Sequence, residues 1–528
     1  MASITQPAPP RDATTPAMSH RQILEALSGL LLGMFVTILA STVVSNALPR
    51  IISDLHAGES AYTWVVTATL LALTVTTPIW GKLADLTSKK LLIQVALVIF
   101  VLGSALAGLS QNAATLITFR VVQGIGAGGL TALVQVILAA MISPRERGRY
   151  MGYLGAVFAV GTVLGPLIGG VLVDTSWLGW RWCFYVGVPF AVGALVLLQR
   201  TLHLPVVTRK VTIDYLGATL VAAAVSLLLI WVSLAGHQFA WNSVATYLMV
   251  PGAILLGLLF VLVEQRAAEP IIPLRLFRDR TVTLSTVASL FVGVGLFGGT
   301  VFLAQYFQIS RGHSPTASGL MSLPLVLGLL ASSTVVGQLI SRYGAWKRYL
   351  VAGGVLLMAG FGLMGSMRTD TPYPLLATYM LVLGAGLGMM MQNLVLATQN
   401  VVATSDLGAA SSTVAFFRSL GGAIGVSALG ALLGHRVAAY TAEGLAAVGV
   451  TPSGAGASTE LPNPATLPEP VRQVVQDAFG HGIGDVFLYA TPFAILAFLS
   501  VIFVKEVSLQ TKSAIERDIE RDTVTAAG

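Results

Sequence analysis

The chain has 528 residues, of which 55% are apolar and only 10% are charged, and its mean hydropathy is +0.81. Soluble domains carry about 25% charged residues, so this composition excludes a soluble enzyme. The formal net charge of +7 would suggest a nucleic-acid partner in a soluble protein, but here the basic residues lie in short loops between apolar runs, as membrane topology requires. No nucleic acid is expected to bind. The single cysteine, Cys183, excludes an intramolecular disulfide and a cysteine-based metal or redox site.

Apolar windows bounded by charged and turn residues predict fourteen spanning helices. Each window is long enough to cross a bilayer core, and a helix satisfies its own backbone hydrogen bonds in lipid. The predicted fold class is therefore an all-α integral membrane protein. In chain order, the windows lie near 24–48, 63–81, 91–110, 113–141, 150–173, 182–199, 214–236, 244–263, 283–308, 316–340, 349–367, 373–398, 408–433 and 485–504.

The basic residues divide unequally between alternate loops. One side takes 22 Lys and Arg residues and the other takes six, while Arg120 and Arg418 lie inside spans. Cytoplasmic loops carry the excess of basic residues, so both termini are predicted to be cytoplasmic in a cell (inner) membrane, which an even number of spans also requires. Residues 1–20 are predicted to be a disordered cytoplasmic tail, 435–484 an extracytoplasmic loop, and 506–528 a second cytoplasmic tail.

An internal repeat predicts the architecture. Gly81–Lys90 after the second span and Gly337–Arg348 after the tenth both place Gly-x-Leu before a tight turn with paired basic residues. The glycine-rich segments Gln123–Gly129 and Leu383–Met389 form a second pair, at a similar offset. Spans 1–6 therefore correspond to spans 9–14. The chain is predicted to hold two six-helix halves, 21–200 and 281–505, with two inserted helices in 201–280, and such halves are typical of an alternating-access carrier.

These motifs resemble those of a known family. Gly81–Lys90 resembles the motif between helices 2 and 3 of the major facilitator superfamily, Leu116–Gly126 its fourth-helix Arg motif, and Gly161–Gly170 the fifth-helix motif of exporters. With fourteen spans and Tyr306-Phe-Gln308 in the ninth, the chain is similar to the EmrB/QacA-type drug/proton antiporters. The resemblance covers nearly the whole chain and implies the major facilitator fold.

The resemblance assigns a gating role to two sets of residues. Asp85 lies near Lys89 and Lys90, where a carboxylate can cap exposed backbone N–H groups and pair with a basic residue; in the second half Ser341 replaces it. The glycines of the fifth span repeat every four residues, which allows a neighbouring helix to approach closely, and a proline there permits a kink. This stripe consists of Gly161, Gly165, Pro166 and Gly169.

Arg120 is a candidate for substrate binding and for proton coupling. An unpaired charge inside a span costs about 3 kcal/mol, and the resembling antiporters place an Asp on the first helix at the same depth, where this chain has Ala40. Because the guanidinium then lacks an evident partner, the sequence predicts a preference for neutral or acidic compounds over cations. The replacement proton acids could come only from the outer rim, where Asp174 and Asp485 lie.

Polar, uncharged residues inside apolar runs complete the predicted substrate site. Such residues face partners or water more often than lipid, and as a set they describe an amphipathic, promiscuous cavity. Besides Arg120, the set consists of Thr42, Asn46, Gln123, Tyr306, Gln308, Gln392 and Asn393.

The sequence therefore predicts a secondary active multidrug exporter of amphipathic compounds, with proton coupling implied by the resemblance. The chain has no Gly-x-x-x-x-Gly-Lys-Ser/Thr loop, which argues against an ATP-driven pump, and no cofactor or metal is expected. The protein is expected to act as a monomer in the lipid bilayer. A dedicated exporter of one metabolite, antibiotic or lipid is the alternative. An integral membrane enzyme would need clustered histidines or acids, and a channel or receptor would not need matched halves.

Overall fold

The computed structural model describes residues 20–56, 59–175, 178–204, 214–236, 238–447 and 468–527. Within these residues, fourteen helices are long and apolar enough to cross a membrane, so the fourteen predicted spans are confirmed. The α-helices are α1 (His20–Asp54), α2 (Glu59–Leu86), α3 (Lys89–Gly108), α4 (Ala113–Met141), α5 (Pro144–Asp174), α6 (Trp182–Tyr185), α7 (Val188–Thr201), α8 (Tyr215–Leu234), α9 (Val244–Glu264), α10 (Arg280–Gln305), α11 (Pro315–Met321), α12 (Leu323–Tyr343), α13 (Lys347–Gly365), α14 (Tyr373–Val401), α15 (Leu407–Ala447), α16 (Glu469–Ile502) and α17 (Ala514–Ala527). The predicted disordered tail falls almost entirely outside the described residues.

Short polar side chains set several helix starts. Ser88, Asn112 and Ser143 each accept a hydrogen bond from the backbone N–H three residues later, at the starts of α3, α4 and α5. These bonds satisfy donors that a helix start leaves without a partner. At its other end α12 stops at Gly344, whose φ of +75° is a left-handed conformation that favours glycine.

The internal repeat predicted from sequence recurs in the helix packing. In the first half α1 packs on α5, and α2 and α3 pack on α4; in the second half α10 packs on α15, and α12 and α13 pack on α14. The two halves meet along two related contacts, α2 with α15 and α5 with α12. The predicted major facilitator architecture of two six-helix halves with an inserted pair is confirmed.

The paired glycine-rich segments perform the same packing role in each half. In α4, a Cβ atom at Gly124 would lie 2.6 Å from the Thr69 carbonyl of α2. In α14, a Cβ at Gly388 would meet α12 equally closely, and one at Gly386 would lie 2.5 Å from the Leu357 nitrogen of α13. These glycines therefore allow the fourth helix of each half to lie directly against its two neighbours.

The inserted helices α8 and α9 form a hairpin against the seam between the halves. Val221, Val225 and Leu229 of α8 share a buried cluster with Val75 of α2 and Phe416 of α15. The hairpin thus contacts both halves at the α2–α15 contact. The other face of α9 is largely exposed and apolar, as expected for a surface that faces lipid.

The predicted outer loop 435–484 is wrong in its extent. Helix α15 continues to Ala447 and α16 begins at Glu469, so helix replaces loop at both ends. Charged residues suggested that the last two spans stop near 433 and 485, but Arg436 and Asp485 pair with each other across the two helices, with Nε 3.1 Å from Oδ2. Because the charges satisfy each other, they do not end the helices. Residues 448–467 lie outside the described residues.

The carboxyl-terminal segment is ordered where only a tail was predicted. The indole of Trp346 donates to the Val507 carbonyl at 2.8 Å, and the Asn400 amide donates to the Ser508 carbonyl at 3.1 Å. Helix α17 then packs against α4 and the short turn Thr404–Asp406. This segment lies across the end of the bundle that carries the α2–α3, α4–α5 and α12–α13 connections. We call it the basic end, and it is the end predicted to be cytoplasmic.

Candidate functional site

Asp85 joins the two halves at the basic end. Its carboxylate accepts hydrogen bonds from the backbone N–H groups of Gly408, at 2.7 Å, and Ala409, at 2.8 Å, in the first turn of α15. A carboxylate is stabilised at a helix amino end, where free N–H groups point outward. The capped helix is therefore α15 of the other half, and α3 is capped by Ser88 instead.

Of the two lysines near Asp85, Lys89 interacts with its carboxylate electrostatically, whereas Lys90 bonds elsewhere. Lys90 donates to the Gln199 carbonyl of α7 at 2.7 Å, so it stabilises the first half internally. Lys89 opens α3. Neither has a carboxylate within 4 Å among the described residues.

Two glycine pairs close the same end of the protein. A Cβ atom at Gly81 would lie 2.6 Å from the Gly408 carbonyl, where α2 meets α15. A Cβ at Gly148 would overlap the Gly337 carbonyl, where α5 meets α12, and the reverse holds at Gly337. Backbone therefore touches backbone at both contacts between the halves, and the basic end is sealed in this structure.

Arg147 crosses the seal, although its sequence position suggested a solvated loop charge. It is only 2% exposed, its Nη1 donates to the Gln399 amide oxygen of α14, and its Nη2 donates to the Ile142 carbonyl at 3.0 Å. Gln399 in turn donates to the Ser411 hydroxyl of α15 at 2.7 Å. The signal that sequence reasoning missed is Gln399, a polar residue inside an apolar run.

The connection between α9 and α10 is also tied to both halves. Lys82 of α2, buried to 5% exposure, lies 2.5 Å from Glu269, and Arg275 lies 2.8 Å from Asp406, just before α15. A buried charge that loses its partner is strongly destabilising. Separating α2 from α15 would therefore disturb this connection as well.

The glycine stripe of α5 packs against α1. A Cβ at Gly161 would lie 2.8 Å from Ile38, and one at Gly165 would overlap the Thr42 hydroxyl. Thr42 itself donates to the Ile38 carbonyl at 2.9 Å and to the Gly161 carbonyl at 3.2 Å, so its polar group serves the helix contact. The contacts of Gly169 and the side chain of Pro166 lie outside the described part.

Arg120 is not left without a partner, so that expectation is wrong. The side chain is 4% exposed, its Nη1 donates to the Gln123 amide oxygen at 2.6 Å, and its Nε donates to the Val65 carbonyl of α2 at 3.3 Å. Gln123 continues the chain of bonds to the Ser104 hydroxyl of α3 at 3.2 Å. Ala40 is buried in the apolar core of the first half. A carbonyl and an amide thus accept hydrogen bonds from the guanidinium, and the first helix contributes no acid to it.

Arg418 is a buried intramembrane cation with an unsatisfied group. It is 6% exposed within α15, and its Nη1 has no hydrogen-bond partner among the described residues. Its sequence position predicted a place inside a span but no role. An uncompensated charge in a span is costly and is a functional candidate by default. Arg418 is therefore a candidate functional residue, as Arg120 was in the sequence prediction.

A small cavity lies at the centre, between α1, α5, α12 and α14. Its volume is about 20 Å³, room for about one water molecule, and Gln392 and Ser333 are among its lining residues. Gln135 of α4 donates to Gln392 of α14 at 3.2 Å. This bond joins the halves at the centre, so the substrate path is closed here.

The other predicted substrate residues are placed elsewhere. Tyr306 is fully buried and donates to the Arg368 carbonyl at 2.7 Å, and Asn393 donates to the Met389 carbonyl at 2.6 Å, so both satisfy local backbone. Gln308 lies in the π-helical turn Tyr306–Ser310 that extends α10 and is half-buried. The Asn46 side chain lies outside the described part.

The two rim acids can be placed only in part. Asp485 is 9% exposed and accepts a hydrogen bond from the Tyr440 hydroxyl at 2.8 Å besides pairing with Arg436. The Asp174 side chain lies outside the described residues. In the part of the chain that is described, no three His, Cys, Asp or Glu side chains come together as metal ligands would.

Comparisons with known proteins agree with this architecture. The Major Facilitator Superfamily family model matches residues 30–426. An uncharacterised transporter of that type from Mycobacterium tuberculosis is 37% identical, over 91% of this chain and 69% of its own. The multidrug transporter protein MdtP of Bacillus subtilis is 30% identical, over 94% and 95% respectively. The solved structure of the proton:xylose symporter XylE superimposes with a TM-score of 0.63, over 95% of this chain and 99% of its own. The sequence identity is 14%, so this similarity supports only the fold.

Proposed function

Because the chain belongs to the major facilitator superfamily and is a multi-pass membrane transporter, we propose that it exports amphipathic organic compounds from the cytoplasm by alternating access. The observation that carries the proposal is the seal at the basic end, where Asp85 and two glycine pairs hold the halves together. Its bonds join separate halves, so they can break as a unit and open the centre to that end. The name of the Bacillus relative supports a range of drug-like substrates.

The proposed charge of the substrate is based on the ionisable residues inside the spans. No carboxylate lies near the midpoint of a predicted span, whereas Arg418 is buried with an unsatisfied Nη1. A guanidinium in a low-dielectric region attracts an anion and repels a lipophilic cation. We therefore propose neutral or acidic amphipathic compounds as the preferred substrates.

Proton exchange is the proposed energy source. Among the rim acids, Asp485 is the described candidate, since it is buried and bonded to Arg436 and Tyr440. Protonation of this carboxyl would weaken its ion pair and loosen the contact between α15 and α16. Proton binding at Asp485, near the predicted outer end of the spans, would thereby be coupled to movement of α15 relative to α16 in the second half.

Transport in proteoliposomes tests this function directly. With one proton exchanged per substrate, a gradient of about one pH unit should sustain about a tenfold accumulation of a fluorescent acidic amphiphile. An ionophore that collapses the gradient should stop the accumulation, and protein-free vesicles are the control. Equal uptake with and without the gradient would exclude proton coupling. Transport of one metabolite but of none among several unrelated amphiphiles would favour the dedicated exporter.

Cysteine labelling tests the orientation. In a background without Cys183, Glu469→Cys at the exposed start of α16 should react with an impermeant maleimide in intact cells, because the 22 to 6 distribution of basic residues places it outside. Arg266→Cys, exposed after α9, should react only after permeabilisation. The opposite pattern would invert the topology, and with it the direction of transport.

A further inference from the structure

The two contacts between the halves are related by the internal repeat, but only one of them has an acid. Where α2 meets α15, Asp85 supplies two hydrogen-bond acceptors to the other half. The repeat places Ser341 of α12 at the equivalent position, facing α5. Its hydroxyl oxygen is buried and has no hydrogen-bond partner among the described residues. The α5–α12 contact therefore lacks the carboxylate at this position that its counterpart has.

A cationic cavity occupies this position. It has a volume of about 720 Å³ and is lined by Ser341 and by Arg145, Arg149 and Arg342, with Glu146 as the acid in its wall. Arg145 and Arg149 come from α5 of the first half, and Arg342 comes from α12 of the second. Within the described chain, none of the three arginines has a carboxylate oxygen within 4 Å, whereas Arg275 and Arg436 each have one.

The excess of positive charge in the cavity wall favours the binding of an anion. Three guanidinium groups around one cavity repel each other, and a single carboxylate leaves a net positive charge in the wall. Guanidinium groups match the geometry of a phosphate, which can accept paired N–H bonds. His20 also lines the cavity, where its Nδ1 lies 2.7 Å from the Tyr150 hydroxyl, and it adds a further polar group to the wall.

We propose that this cavity binds the phosphate of an acidic phospholipid headgroup. The cavity lies at the basic ends of α5 and α12, the ends predicted to reach the cytoplasmic membrane surface, and its volume exceeds that of a phosphate ion. The aromatic rings of Tyr153 in its wall and Tyr343 beside it are 46% and 57% exposed, as is typical of side chains at a membrane interface. The headgroup supplies at α5–α12 the charge that Asp85 supplies at α2–α15.

The bound headgroup would favour the sealed state. Its arginine partners come from both halves, and they separate when the basic end opens. A ligand that binds one conformation better shifts the equilibrium toward it by that difference in affinity. Acidic lipid is therefore a regulator of the alternation, independent of which compound is exported.

Thermal unfolding of the full-length protein in nanodiscs tests the proposal. Replacing part of the phosphatidylcholine by phosphatidylglycerol should raise the melting temperature by about 2–4 °C. The variant Arg149→Gln/Arg342→Gln should lose this shift. The matched control Arg200→Gln/Arg266→Gln removes two exposed arginines outside the cavity and should keep it. Native mass spectrometry of folded protein should count one retained phosphatidylglycerol fewer on the cavity variant than on the control.

The arms distinguish the source of the anion. Inorganic phosphate in pure phosphatidylcholine discs should not change the melting temperature. If phosphate alone raises the melting temperature as much as phosphatidylglycerol does, and the cavity variant loses that increase, the ligand is a soluble anion and the lipid assignment is wrong. The absence of any shift, or its equal loss in both double variants, would overturn the site itself. Neither result involves transport, so the proposed export function is tested separately.

Discussion

Gly148→Leu is expected to abolish export while leaving the protein inserted in the membrane. A side chain at this position would collide with the Gly337 carbonyl across the α5–α12 contact. Overpacking of this kind costs about 1–3 kcal/mol, which shifts a two-state equilibrium about 5- to 150-fold. The cost falls only on the sealed state, because the two helices separate when the basic end opens. The variant should therefore remain open at that end, with dye efflux below about a tenth of the parent rate.

Control variants separate this effect from general damage. At Gly257 and Gly362 a Cβ atom would meet nothing within 4 Å, so Leu at either position should leave efflux unchanged. Gly81→Leu, at the related α2–α15 contact, should reproduce the Gly148→Leu defect. A cysteine at Ser333, beside the central cavity, should react faster with a maleimide added from the basic end in the Gly148→Leu background. Normal efflux by Gly148→Leu, with unchanged labelling, would show that the glycine contact is not a gate.

The fold was predictable because membrane helices are specified locally. Each apolar window carries its own length signal, and the repeat of Gly81 at Gly337 related the two halves without knowledge of any contact. The errors lie where charge was taken to end a helix. Arg436 and Asp485 belong to two helices that continue past them, because the pair neutralises itself, and such pairing between distant segments leaves no signal in either segment.

The candidate site was less predictable, because its contacts join residues far apart in the chain. Asp85 was identified as a capping carboxylate, but its partners lie more than 300 residues away, in α15. Arg147 resembles any loop arginine until α14 places Gln399 beside it. Arg120 was predicted to lack a partner because Ala40 stands at the first-helix position where the resembling antiporters have an Asp, with backbone carbonyls and Gln123 as the alternative partners. In the structure, the backbone of α2 and a neighbouring amide are enough.

Arg418→Gln should change substrate choice, whereas Arg120→Gln should mainly reduce stability. Removal of the Arg120 guanidinium leaves the buried Gln123 amide oxygen without its donor, at a cost of about 1–3 kcal/mol. The expected result is a lower melting temperature with an unchanged order of substrates. Arg418 Nη1 has no such partner among the described residues, so in the proposed function it is the group available to donate to an acidic substrate.

The size of the Arg418 effect follows from Coulomb attraction. At an effective dielectric constant of about 20 and a separation of about 10 Å, unit charges interact by about 1.7 kcal/mol, so Arg418→Gln should slow export of an acidic amphiphile by about tenfold and speed export of a cationic dye. Arg418→Lys keeps the charge and should keep the preference. Efflux assays with one acidic, one neutral and one cationic compound, on variants of matched expression, distinguish the two arginines. The opposite result would be that Arg120→Gln changes the order of efflux rates among the three compounds and Arg418→Gln does not. In that case substrates interact with the charge of Arg120, and the hydrogen bonds around Arg120 must break during the transport cycle.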